Sequence, residues 1–76
     1  MTESDKSALN CQIGGKHYST LPIQPIEYIV KNNLNWFQGN MVKYATRYPY
    51  KNKAEDLRKI IHYATLALEI EYGEKP

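Results

Sequence analysis

Three stretches of the chain place apolar residues at helical spacing, and no stretch alternates with the period of a strand. The first is short. Ile26, Ile29 and Val30 fall at i, i+3 and i+4, one face of a helix entered through Gln24-Pro25. Proline suits the first helical position because its missing N–H would find no partner there anyway. Asn32-Asn33 ends this segment. The second pattern begins at Asn35, where Gln38 three residues on predicts an Asn-x-x-Gln capping box. Phe37, Met41, Tyr44 and Tyr48 then recur on one helical face, and Pro49 closes it. Pro49-Tyr50-Lys51 reads as a tight connection. The third helix is predicted from Asn52, with Glu55 as a second box-like cap, to Tyr72, with Gly73 suited to the position just past the end.

That third helix carries Leu57, Ile60, Ile61, Ala64, Ala67 and Leu68 in one broad stripe. At roughly 20 residues it spans about 30 Å, which is long for so short a chain. The stripe is also wider than one neighbouring helix covers, and the surplus predicts a surface shared between copies. Ahead of the helices, Met1 to Gln12 is polar and aperiodic, and His17 to Ile23 reads as extended or loop-like, interrupted by Pro22. The expected organisation is a flexible arm over residues 1–13 and one helical domain over 14–76. The expected fold is all-α: one short helix plus two longer antiparallel helices, assembling into a homo-oligomer.

Composition narrows the setting. The chain has 76 residues, a mean hydropathy of −0.64 and a formal charge of +2, a globular rather than a disordered balance. No apolar run approaches the roughly 18 residues of a membrane span, and Met1 opens no signal peptide. Cys11 is the only cysteine, so no internal disulfide stabilises the domain, and the expected location is cytoplasmic. A domain of this size buries only about 60% of its unfolded surface, a second reason to expect self-association. The charge is uneven. Residues 39–59 hold six basic against two acidic groups, a net of +4, whereas residues 60–76 are net acidic at −2. A local basic patch, not the total, is what could meet an anion.

The chemistry concentrates there. Asn40, Lys43 and Arg47 lie at i, i+3 and i+7 on the second helix. Two cations at i, i+4 repel by a few tenths of a kcal/mol unless an anion lies between them. Lysine offers a point charge and arginine a planar fork, so the pair suits a phosphate. Lys51 and Lys53 follow, and Tyr44, Tyr48 and Tyr50 interleave with them, as in sites that hold nucleotide phosphates and stack bases. Asp56, Lys59 and Tyr63 share a face of the third helix at i, i+3 and i+7. Gly39 inside a helix costs about 1 kcal/mol relative to alanine, which calls for close packing or ligand approach.

Other motifs fall short. Gly14-Gly15-Lys16-His17-Tyr18-Ser19 lacks the first glycine and the hydroxyl after lysine of a phosphate-binding loop, leaving a turn that could carry His17 and Tyr18 to a ligand. His17 and His62 have no ligand set with metal spacing, and the Glu-x-x-Glu and Glu-x-x-Asp array of helical pyrophosphohydrolases is absent.

His17-Tyr18, Ile23-Gln24-Pro25-Ile26-Glu27, Phe37-x-Gly39-Asn40-x-x-Lys43-Tyr44-x-x-Arg47-Tyr48, and Lys51-Asn52-Lys53 with Glu55-Asp56-Leu57-x-Lys59 and Tyr63 follow in order. This series resembles a small phage family, the domain of unknown function 3310, over about residues 16–72. The resemblance implies a phage protein acting in the host cytoplasm with a link to nucleotides, since the domain also occurs in the nucleotide kinase of podophages. It marks His17, Tyr18, Gln24, Pro25, Glu27, Gly39, Asn40, Lys43, Tyr44, Arg47, Asp56, Lys59 and Tyr63 as signature positions.

Together these features give an expectation of a nucleotide-binding protein with its pockets between subunits, sequestering a cyclic or other nucleotide against host defence. Lys43, Arg47, His17, Tyr18, Asn40, Lys51, Lys59 and Tyr63 would meet the ligand, with Gln24, Glu27, Tyr44 and Asp56 in support. No cofactor is needed for binding. The first alternative is a nucleoside monophosphate kinase, which would need Mg2+, held through water by Asp56 or Glu27, and a site built between subunits. The second is a module binding nucleic acid or a host protein, against which the acidic final helix and modest net charge weigh.

Overall fold

A computed structural model describes residues 21–75, and the described residues form three helices: α1 (Pro25–Lys31), α2 (Trp36–Arg47) and α3 (Ala54–Tyr72). The arm over residues 1–13, together with His17 and Tyr18, lies outside the described residues. No strand occurs among the described residues, so the all-helical reading holds.

Each helix starts and stops for a local reason, with one exception. At α1, Pro25 takes the first position and Glu27 Oε1 accepts the backbone N–H of Gln24 at 2.9 Å. At α2 the box closes in both directions: Gln38 N–H donates to Asn35 Oδ1 at 2.8 Å, and Asn35 N–H donates to Gln38 Oε1 at 2.9 Å. At the end of α3, Gly73 turns left-handed at φ +70°, and the N–H groups of Gly73 and Glu74 donate to the carbonyls of Glu69 and Leu68. This is the glycine-terminated geometry that satisfies the last carbonyls.

The exception is the start of α3. Asn52 does not cap it; Lys53 occupies that position at φ +50°, ψ −120°, with no side-chain cap hydrogen bond. The amide of Asn52 reaches instead to Asp56 Oδ1 at 3.4 Å. A tertiary demand, described below, has drawn the side chain away from the local one.

Helix α2 is the central element and packs against both α1 and α3. Between α1 and α2 the approach is close: a Cβ added to the buried Gly39 would sit 3.2 Å from Ile29 Cγ2. That is the packing reason for a glycine inside α2. Phe37, Met41, Tyr44 and Tyr48 on α2 are all half-buried, and Tyr44 stacks on Tyr63 of α3. Among the described residues no large apolar side chain is fully buried; Pro25, Gly39 and Asp56 are the buried positions. A domain whose most enclosed side chain is a carboxylate draws little stability from a dry interior.

Candidate functional site

Asp56 is fully buried in the first turn of α3, and Arg47 at the end of α2 holds it. Arg47 Nε lies 2.9 Å from Asp56 Oδ2, and Arg47 Nη2 lies 3.2 Å from Oδ1, a two-pronged guanidinium–carboxylate pair. Asn52 donates to the same Oδ1, and Lys59 Nζ stands 3.8 Å from it, one turn along α3. The Arg47 hydrogen bond lowers the Asp56 carboxyl below the usual carboxylate range; burial opposes the shift, and the Asn52 bond adds to it. Asp56 is ionised at neutral pH.

The cations outnumber this anion. Lys43 Nζ, Arg47 Cζ and Lys59 Nζ stand 5.3, 4.6 and 5.0 Å from the centroid of the Tyr44 ring. Three positive groups thus surround one aromatic ring, and among the described residues Asp56 is the carboxylate paired with them. Tyr44 stacks on Tyr63 at 6.0 Å and 14°, and Tyr63 meets Trp36 edge-on at 5.2 Å. The rings form a strip across α2 and α3, and each ring face turned toward a cation offsets part of its cost.

On the α1 side of α2 lies an open groove of about 600 Å³, lined in part by Gln24, Ile29, Trp36, Gly39, Asn40 and Lys43. Trp36 is 64% exposed there. Asn40 is fixed beside it, its Nδ2 donating to the Trp36 carbonyl at 2.9 Å. Lys43 lines the groove and also reaches the Tyr44 ring, so it joins the two features.

The residues expected from the sequence therefore divide. Lys43, Tyr44, Arg47, Asp56, Lys59 and Tyr63 gather in the cationic–aromatic cluster, and Gln24, Asn40 and Lys43 line the groove. Lys51 is exposed in the turn before α3. Glu27 Oε1 serves its cap, and Asp56 is addressed by Arg47, Asn52 and Lys59. No group of three or more His, Cys, Asp or Glu side chains suited to a metal ion occurs among the described residues.

Sequence reasoning missed Trp36. The signal was present, because Trp36, Asn40, Lys43 and Arg47 follow at i, i+4, i+7 and i+11, so the face first noted at Asn40 begins one turn earlier.

The helices and this cluster define a small all-helical protein with a cationic, aromatic surface organised around a buried ion pair. By sequence the chain belongs to the family described as protein of unknown function, DUF3310, whose pattern matches residues 13–65. The match takes in α1, α2, the whole cluster and the first part of α3. No curated protein and no solved structure matches the chain. No helix among the described residues is long and apolar enough to cross a membrane.

Proposed function

We propose that this protein binds a nucleotide, with its phosphate on Lys43 and Lys59 and its base against Trp36 and the adjoining tyrosines. The observation that carries the reading is the convergence of Lys43, Arg47 and Lys59 on the Tyr44 ring. No carboxylate of the described residues lies within ion-pair distance of Lys43. A phosphate there relieves repulsion that the fold otherwise bears. Arg47 acts differently from the sequence expectation: committed to Asp56, it sets the position of the cluster. The groove beside Trp36 and Asn40 has the volume of a small-molecule site.

In this proposal α2 and α3 run antiparallel, as the Arg47–Asp56 pair at one end and the Trp36–Tyr63 contact farther along support. A further copy closes the open groove, which gives the pockets between subunits expected from the sequence. Binding without turnover, hence sequestration of a cyclic or other nucleotide in an infected host's cytoplasm, fits a site whose carboxylates are already engaged.

Calorimetric titration of the purified chain with mono-, tri- and cyclic nucleotides, with and without Mg2+, tests this. Lys43→Ala and Lys59→Ala should each weaken binding by about 1.5 kcal/mol, the scale of a charge-assisted hydrogen bond. Nucleotide recovered unchanged after heat denaturation supports sequestration, whereas conversion of a monophosphate to a diphosphate moves the assignment to phosphoryl transfer. No heat with any nucleotide would sink both.

A further inference from the structure

Helix α3 has a second apolar face that it does not use against α2. Leu57, Ile61, Leu68 and Tyr72 are 42%, 65%, 45% and 73% exposed. Their spacing sets them along one side of the helix, with Ala64 and Thr65 midway. The pattern is symmetric about the midpoint between Ala64 and Thr65. Leu57 and Tyr72 stand equally far from it, and so do Ile61 and Leu68. An antiparallel copy laid on this face therefore pairs Leu57 with Tyr72 and Ile61 with Leu68, twice over, while the small side chains at the centre let the helices approach.

One charged pair comes within a position of this centre, Arg58 and Glu69 being symmetric about the midpoint between Tyr63 and Ala64. The first turn of α3 carries Glu55 and Asp56, Arg58 and Lys59 follow directly, and its end is acidic at Glu69, Glu71 and Glu74. Arg58 and Glu69 flank the apolar face on the same side, about three turns apart. In a two-fold antiparallel pair, equal flanks meet and opposite ends align, so Arg58 of each copy approaches Glu69 of the other. A parallel pair would instead set Arg58 level with Arg58 and Glu69 level with Glu69. We infer that the exposed face of α3 is an isologous interface for a second copy of this chain, packed antiparallel and centred between Ala64 and Thr65. The inference rests on the self-association proposed above but adds a contact on a face of α3 apart from the α1–α2 groove, so nucleotide binding at Lys43 and Lys59 is tested separately from it.

Light scattering and sedimentation of the full chain across concentration test the interface. The wild type should assemble. Ile61→Glu should raise the dissociation constant at least about a hundredfold, as for a central apolar anchor, with unchanged helix content by circular dichroism. Arg58→Glu and Glu69→Arg should each weaken assembly about fivefold, the scale of two exposed charge pairs, and R58E combined with E69R should restore it. These exposed charge positions keep the test open where Ile61→Glu loses helix content. Wild type that stays monomeric, including through residues 1–13 folding back over α3, overturns the interface and the self-association with it. An oligomer indifferent to Ile61→Glu and to both charge reversals overturns this interface alone. Failure of the double reversal to recover what the single ones lose overturns the antiparallel register.

Discussion

Asp56 and Arg47 are the residues on which the candidate site turns. A buried carboxylate is costly unless its oxygens are satisfied, and here Arg47, Asn52 and Lys59 all address it. Because the folded carboxyl titrates below its unfolded value of about 3.9, the pair stabilises the fold fully above that value. The contribution is lost as pH falls through the lower folded value. The melting temperature of the wild type should therefore exceed that of Asp56→Asn by a constant margin above about pH 5; the margin should begin to shrink below about pH 4 and close only as pH falls through the lower folded value. A margin that persists unchanged into acid would mean that charge is not what Asp56 contributes. This pair was only half legible beforehand. Both residues stand out as candidates in the sequence, but the eight positions between them cross a turn, and no helical spacing relates them. Spacing along α2 points Arg47 only toward a ligand, and its pairing with Asp56 becomes visible in the fold.

Between elements, the joints are set by single residues. The turn into α3 carries Lys53 at φ +50°, ψ −120°, a backbone region that side chains other than glycine enter at a cost of order 1 kcal/mol or more. Lys53→Gly should raise stability to urea by about 1 kcal/mol, with the Arg47–Asp56 geometry unchanged; a loss of stability would show that the Lys53 side chain holds the turn. At the α1–α2 joint, Gly39→Ala gains about 1 kcal/mol of helix propensity and loses a comparable amount by pressing on Ile29. Its urea midpoint should stay close to wild type, whereas Gly39→Val, bulkier and β-branched, should lower it clearly. Element positions themselves were readable because apolar spacing and capping chemistry agree in α1 and α2 and at Gly73. They disagree only at Asn52, where the amide serves Asp56 rather than the helix end. Local rules locate an element until a buried charge makes a stronger claim on the same side chain.

For the whole molecule, the decisive fact is where the apolar surface goes. Ile26, Val30, Trp36, Ile61, Ile70 and Tyr72 are each more than half exposed, and no large apolar side chain of the described residues is fully buried. At about 25 cal/mol per Å² of apolar area removed from water, surface left exposed in one chain is stabilisation that only further burial can recover. Among the described residues, three helices joined chiefly through α2 and centred on a polar cluster leave this surface open to the association proposed above. Folding and assembly should then be coupled: if copies bind the folded chain and not the unfolded one, mass action ties stability to concentration. The melting temperature should rise as total protein is raised from the low micromolar to the high micromolar range. Ile61→Glu should abolish the rise while leaving the low-concentration value close to wild type. A melting temperature independent of concentration over that range would instead assign the exposed face of α3 no part in the stability of the fold.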